Sequence, residues 1–528
     1  MKHRFHILFI LGLFLAASAA GQGQVRDFRY AKEANPLLGF GNAALLATFG
    51  DGGFSEATGS FVKENGDVIP LEGSPDSWKA SAGTRSFRRV SDRLVFSGEL
   101  DYSYFRGNGM GAQILIEPSD NAINFLEEDF STSGVKKRET YFLHGGLSWS
   151  FNDRLSAGLA IDYKAEDQVK YKDPRFLNVL MDMTVAPGFA IRGEGGFLFG
   201  GNLIYRHKVE QLSAGNYGTV DRQYFILVDQ GSFYGQKELF EGDVAYVSTQ
   251  NMRPLTDNRY GLSLQAATGG RNRFSAQLTG LWRDGYFGNR TSSTVVFCEF
   301  GGPEAFFEGV LTVPSGKDLQ IFTFDAGAKF LSNYTNSYSY KAVAGMSTTV
   351  EYTGQSQTFS RTECDATLSW KLRKNDTGYC PDWVFAAVAK GVMRNQYTII
   401  YPEYRKQNYL RASLDLSAER NIKRASDCIS FGADLFGCAG FGTANEDGSH
   451  ASATSTLKSF DDWLYRQFEF DTAARAGAEV SVAWTLLRYA KVAPYIKLSD
   501  RFVTLLSAPQ YLSGQSRNTA LVTLGCNF

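Results

Sequence analysis

From about residue 40 to the last residue the chain repeats one theme: ten to fifteen residues of alternating apolar and polar character, a short polar turn, another alternating run, then a longer polar connection. Successive side chains of an extended strand point to opposite faces, so a period of two puts the apolar residues of a run on one face and the polar ones on the other. In DRLSAGLAIDYKA, Leu155, Leu159, Ile161 and Tyr163 oppose Ser156, Gly158, Asp162 and Lys164. In GGFLFGGNLIYRHKVE, Phe197, Phe199, Leu203 and Tyr205 oppose Asn202, Arg206 and Lys208. NRFSAQLTGLWRDGYF sets Phe274, Leu278 and Trp282 against Ser275, Gln277, Thr279 and Arg283, and TECDATLSWKL sets Leu368, Trp370 and Leu372 against Asp365, Thr367, Ser369 and Lys371. NYLRASLDLSAE repeats the pattern with Leu410, Leu414 and Leu416 against Arg411, Ser413, Asp415 and Ser417.

Short turns fall at RRVSDR, FNDR, RGEGG, TGGRNR, PSGK, KNDTGY, ERNIKRAS and LLRYAK, and long polar connections at about 107–137, 211–258, 331–359 and 443–467. Eight short turns join sixteen strands, and the two terminal strands raise the expected number to about 18, with 14 or 16 left open by the longer connections. The fold class expected is all-β: a transmembrane antiparallel outer-membrane β-barrel with short periplasmic turns and long extracellular loops. Composition agrees, with 54 Gly, 13 Pro and 14% aromatics, a mixture that suits tight turns and aromatic girdles. A mean hydropathy of -0.23 is no objection, because only alternate strand residues of a barrel face lipid. The last run, NTALVTLGCNF, alternates up to a terminal aromatic and is similar to the strand that the barrel assembly machinery reads in its substrates.

At the N-terminus, MKHR, FHILFILGLFLAA and SAAGQGQ form a basic region, a short apolar region and a small-residue cleavage site near Ala19 or Ala20. Residues 1–20 are therefore expected to be a cleaved signal peptide, 21–38 a short periplasmic segment and 39–528 a single barrel domain in the cell outer membrane. The apolar run is shorter than the ~20 residues a spanning helix needs. The segment before the first strand is too short for the folded plug domain of an energy-coupled receptor. Within it, LLGFGNAALL either threads into the lumen or enters lipid as the first strand.

If the apolar faces meet lipid, the opposite faces line the lumen. The lumen-lining candidates are Glu99, Asp101, Asp162, Asp325, Asp365, Asp415, Asp434 and Glu479 among the acids, and Arg206, Lys208, Arg283, Lys329, Lys371, Arg411, Arg475 and Lys497 among the bases. The face is balanced in sign, as is the chain, with 54 Lys and Arg against 55 Asp and Glu, so charge names no nucleic-acid partner. Such charges either pair across strands or tune a selectivity filter.

Chemistry-bearing patterns are sparse. His144 lies in YFLHGGLSWS with inward parity beside Ser148, His207 has lipid-side parity, and His450 sits in the polar loop NEDGSHASATS. An outer-membrane lipid enzyme would need a His and Ser two apart on a lipid-facing surface, which His144 and Ser148 do not supply. The expectation is no enzyme and no cofactor, for want of a phosphate loop, zinc pattern or nucleophile elbow. The six cysteines, Cys298, Cys364, Cys380, Cys428, Cys438 and Cys526, lack metal or redox spacing and read mostly as small apolar strand residues, with structural disulfides the alternative. Cys428 and Cys438 cannot bridge within one extended strand, being roughly 33 Å apart.

KEANPLLGFGNAALLATFG after the leader, SYFRGNG after an early strand, the Tyr- and Phe-rich strands and the terminal GCNF together resemble an uncharacterised family of outer-membrane β-barrels from Bacteroidota. The resemblance implies an accessory component encoded near TonB-dependent receptors, with a role in nutrient or metal acquisition, and carries over no functional residue. The expected function is thus a transport-associated barrel, either a passive channel or an accessory partner of a TonB-dependent uptake system. The alternative is a structural or adhesive surface barrel without a pore. Partners expected are outer-membrane lipids, the assembly machinery, and a TonB-dependent receptor or surface lipoprotein.

Overall fold

Strand Gly53–Gly66 pairs antiparallel with Asp76–Ser91 on one side and with the last strand, Ser516–Asn527, on the other. That second pairing closes an 18-stranded antiparallel sheet into a barrel. Closure meets the main demand of a lipid environment, since every backbone group in hydrocarbon must find its partner within the protein and an open edge would not. At the seam, Phe528 exchanges both backbone hydrogen bonds with Ser55, at 2.8 and 2.9 Å. The computed structural model describes residues 25–50, 52–215, 223–240, 253–291, 294–342, 348–452, 458–459, 461–489 and 491–528. The leader assigned to 1–20 lies outside the described residues.

All eight short connections join neighbouring strands at the end that also carries Gly53 and Asn527. The tightest, PSGK, pairs Ser315 with Asp318 around a two-residue loop in which Gly316 takes φ +63°, a conformation costly for residues with a Cβ. By the usual orientation of such barrels this is the periplasmic end. The outward face is a belt of exposed Leu, Phe, Trp and Tyr. Leu203 is 65% exposed, whereas Lys208 on the opposite face of the same strand is 1% exposed. A water-soluble sheet would reverse that order. No helix among the described residues is long and apolar enough to cross a membrane.

Two expected boundaries shift. The connection read at 331–359 is mostly strand, because Asp318–Lys341 and Thr349–Lys374 run on as a paired ribbon beyond the belt. There both faces meet water, so alternation fades, while the Tyr and Thr residues still favour extended backbone. The barrel also begins at Gly53 rather than residue 39. In the interval, Ala43, Ala44, Leu45 and Leu46 are all buried in succession, which an alternating lipid-facing strand does not allow.

Residues 25–50 instead fold inside the barrel at the short-turn end. Helix Phe28–Glu33, capped by the Asp27 side chain, leads into two 3-10 turns, Pro36–Gly39 and Ala43–Thr48. Their apolar sides pack on wall residues including Ala160, Ala186, Ala190 and Leu198. Small wall residues make the approach possible: a Cβ at Gly158 would lie 2.2 Å from the Ala44 nitrogen. At the other end the long connections fold inward too. Segments Asn124–Glu127, Phe225–Asp229, Tyr234–Leu239 and Lys458–Ser459 form a second, four-stranded sheet, beside helix Asp461–Thr472. Ile114, Phe125, Ile226, Val228 and Phe240 from these connections join inward Phe176, Phe287, Phe300 and Phe359 in one apolar cluster.

A larger side chain at Gly158 must therefore evict the N-terminal segment while leaving the strand ladder intact. Overpacking costs about 1–3 kcal/mol, so Gly158→Leu should make the Arg26–Lys32 region about tenfold more sensitive to trypsin, with an unchanged heat-modifiable barrel band on gels. Undiminished protection would contradict the packing described.

Candidate functional site

The most heavily charged region of the lumen lies where the connection after Leu94–Met110 meets the wall. This connection doubles back on itself through Ile114 N to Phe125 O and Glu127 N to Ala112 O, and its apolar flanks Ile114, Leu115 and Ile123 are buried in the outer cluster. The fold pushes the turn Glu117–Pro118–Ser119–Asp120 toward strands Leu155–Lys170, Leu198–Gly215, Arg253–Ala267 and Arg273–Gly288. Lys208 Nζ donates to Glu117 Oε2 at 2.8 Å, and Lys164 contacts the other oxygen. Arg259 donates to Asp120 Oδ2 at 2.6 Å, and Arg283 to the Asp120 carbonyl at 2.9 Å. Arg361, from strand Thr349–Lys374, donates to the Ser119 carbonyl at 3.0 Å.

Behind these contacts the wall supplies its own acids. Asp257 accepts from Arg283 at 2.7 Å and from Arg259 at 3.2 Å, and Glu304 pairs with Arg259 at 3.3 Å. Arg206 makes a two-point bond to Asp182 at 2.9 and 2.6 Å. The Lys208, Arg259 and Arg283 side chains are 2%, 6% and 3% exposed, so each cation needs its acid partners to repay desolvation. Burial opposes charge on Glu117, but Lys208 and Lys164 outweigh it and hold the carboxyl down at about 2. Asp120 is likewise pressed by burial, and Arg283, Lys208, Arg259 and Arg361 together carry it well below the carboxylate range. The cavity beside this turn, bordered by Ser119, Asp229, Arg361 and Arg394, is about 80 Å³. That is below the roughly 300–1,000 Å³ of small-molecule sites, so the turn acts as a constriction rather than a pocket.

The sixteen lumen candidates fall into distinct settings. Arg206, Lys208 and Arg283 belong to the constriction. Arg411 pairs with Asp471 at 3.3 Å and Arg475 donates to the Phe470 carbonyl at 2.6 Å, so both hold helix Asp461–Thr472. Lys371 bonds Glu33 at 2.7 Å and thereby fastens the N-terminal segment. Asp162 Oδ1 accepts from His144 Nδ1 at 2.7 Å, and His144 Nε2 meets Ser97 Oγ at 3.2 Å. Glu99 and Asp101 lie two apart on the inward face of strand Leu94–Met110. The remaining seven, Asp325, Lys329, Asp365, Asp415, Asp434, Glu479 and Lys497, share the inward face of the wall that runs from Asp318–Lys341 round to Ala493–Leu505. There Lys329 approaches Glu363 at 4.0 Å, and Asp434 stands beside Glu479 in the register.

Other residues join these networks without having been singled out in the sequence. Arg259, Arg361 and Arg373 have inward parity that was legible; Arg373 is buried and donates to the Tyr30 carbonyl at 3.2 Å. Glu117 and Asp120 carried no signal, because their partners are 91 and 139 residues away. Ser148 donates to the Ala44 carbonyl at 3.2 Å, His207 Nδ1 meets Asn258 at 2.7 Å, and His450 packs by Tyr404. Among the described residues no three potential metal-ligating side chains gather.

Removing one partner of a buried ion pair costs about 3–5 kcal/mol, and Asp120 is partly exposed, so Asp120→Ala should cost about 2–3 kcal/mol of thermal stability and Asp120→Asn less. An Ala variant as stable as the parent would refute the constriction's role in holding the cap. The outer cap should also respond to pH. Burial pushes the Asp229 carboxyl up to about 6 against the pull of backbone donors from Gly231 and Tyr234. A raised carboxyl pKa favours the folded cap below the unfolded value near 3.9 and withdraws that contribution as pH rises through about 6. Protease sensitivity of the cap should therefore rise between pH 4 and 7, and Asp229→Asn should flatten the rise; identical profiles would contradict the assignment.

Among solved structures, the ferric preacinetobactin receptor BauA from Acinetobacter baumannii is 8% identical, with 91% of this chain and 80% of that one covered at a TM-score of 0.40. The outer membrane transporter YddB from Escherichia coli is 8% identical over 90% of this chain and 81% of its own, at 0.41. A FadL homologue from Pseudomonas aeruginosa is 11% identical over 97% and 99%, at 0.31. No curated protein matches. Residues 43–528 match the model of a family of unknown function, DUF6850, and the chain belongs to that family.

Proposed function

We propose that the protein is a transport-associated barrel of the outer membrane that is closed at rest and gated by its own N-terminal segment. The observation that carries this reading is double occupancy of the lumen. Residues 25–50 cross one mouth, held by Phe28 N to Asn527 Oδ1 at 3.1 Å and Asn42 Nδ2 to Gln265 Oε1 at 2.9 Å, while the inserted connections fill the other. An open passive channel has no need of either occupant.

Gating is favoured over a mere anchor by the wall the occupants leave uncovered. Asp325, Asp365, Asp415, Asp434, Glu479 and Lys497 have no ion pair within 4.0 Å among the described residues, and a polar face of this kind is useful only where water or a polar solute reaches it. The N-terminal segment is held by buried apolar contacts together with hydrogen bonds and ion pairs, and a periplasmic partner pulling on residues near 25 can exchange the polar contacts for its own. The belt residues contact outer-membrane lipid, and export through the cleaved leader delivers the chain there. No catalytic role is proposed: the Ser97, His144 and Asp162 chain serves to order the wall.

A second reading is a pore-less accessory partner of a TonB-dependent receptor, favoured by the connections that seal the outer mouth. Planar-bilayer recordings separate the two. The whole protein should be silent, and a variant lacking residues 25–50 should conduct in discrete steps. Steady open conductance of the whole protein would overturn the closed reading. Silence of the deletion variant would overturn gating by the segment and leave the accessory role, to be tested by co-purification from native membranes.

A further inference from the structure

Four of the six cysteines, Cys298, Cys364, Cys438 and Cys526, sit singly within strands. The other two meet. Cys380 lies in the short connection 375–382, Cys428 is the second residue of strand Asp427–Ser449, and their Sγ atoms are 3.7 Å apart although 48 residues separate them in sequence. Both are buried, 1% and 0% exposed, in a small cluster with Tyr30, Tyr379, Val384 and Ala493. The backbone next to Cys380 is also where the N-terminal segment is tied: Asp27 N donates to the Tyr379 carbonyl at 3.0 Å, and Asn527 Nδ2 to the Tyr379 hydroxyl at 2.8 Å.

We propose that Cys380 and Cys428 become a disulfide in the exported protein, and that this bond clamps connection 375–382 in the position that anchors the N-terminal segment. The inference rests on the placement of the short-turn end in the oxidising periplasm, as proposed above. A disulfide needs its sulfurs about 2.05 Å apart, so the pair must close by about 1.7 Å, a distance that side-chain rotation in a turn supplies. The oxidant is an external disulfide of the thiol–disulfide oxidoreductase class. One cysteine thiolate attacks it and expels a thiolate, giving a mixed disulfide; the second cysteine then attacks the mixed disulfide and expels the other. Two electrons and the two cysteine protons leave with the donor, which departs as two thiols. Both sulfurs are shielded once the strands have packed, so exchange belongs to assembly, and burial afterwards guards the bond against reduction.

The test uses protein from membranes of the native host, lysed and denatured in N-ethylmaleimide, then reduced and labelled with a second maleimide before mass spectrometry. Location is scored separately by fractionation, so protein found outside the outer membrane counts against the location reading alone. In outer-membrane protein, most Cys380 and Cys428 should carry the second label, the unreduced digest should yield their joined peptides, and the other four cysteines should carry the first label. First label on most of Cys380 and Cys428 would overturn the bond. The clamp is tested by trypsin cleavage at Arg26 to Lys32 before and after reduction in mild denaturant. Reduction should speed cleavage at least threefold, and Cys380→Ser should match the reduced parent. Equal rates before and after reduction would overturn the clamp.

Discussion

Backbone hydrogen bonding around a closed ring is the constraint from which the rest of this molecule follows. A strand in hydrocarbon has no water to satisfy its N–H and C=O groups, so the first strand must find the last, and Gly53–Gly66 does so along Ser516–Asn527. With the ring closed, each side chain has two destinations only. One is lipid, filled by the Leu, Phe and Trp of every second position; the other is the lumen, which an 18-stranded ring leaves too wide for wall side chains to fill alone.

The occupants of that lumen reflect the same economy at both ends. At the short-turn mouth, Gly158 admits the backbone of the N-terminal segment and Gly188 the side chain of Asn42; the segment's apolar side is shielded and its polar groups are taken up by Ser148, Ser156 and Gln265. At the other mouth, apolar residues of the inserted connections make a buried cluster with the wall, and beside it Glu117 and Asp120 neutralise the cations of the wall. Between them lies a stretch of wall whose acids, among them Asp325, Asp365 and Asp415, meet no cation within 4.0 Å among the described residues.

Fold class and strand count were legible because a two-residue period and eight short polar turns, most of them carrying Gly, Asn or Asp, are local signals. Parity alone put Arg206, Lys208 and Arg283 on the face where the constriction forms. What could not be read is what comes to meet that face. Asp120 reaches Arg259 over 139 residues, and no local pattern in EPSDNA distinguishes a turn folded into a lumen from one in solvent. The start of the first strand is ambiguous in the sequence for a related reason: LLGFGNAALL is apolar enough for lipid or for the lumen, and only tertiary packing, which buries Ala43 through Leu46 against wall and neighbours, separates the two. Likewise the meeting of Cys380 with Cys428 depends on a turn lying against the next hairpin, a tertiary fact.

The assignment of alternate side chains to lipid and water bears the weight of the whole account, and a nitroxide scan along Leu198–Gly215 in lipid vesicles measures it directly. Labels at Phe199, Leu203 and Tyr205 should be relaxed by oxygen, which partitions into hydrocarbon, and labels at Asn202 and Arg206 should not. Uniform oxygen access along the strand, or the reverse alternation, would contradict the barrel as a membrane-spanning structure.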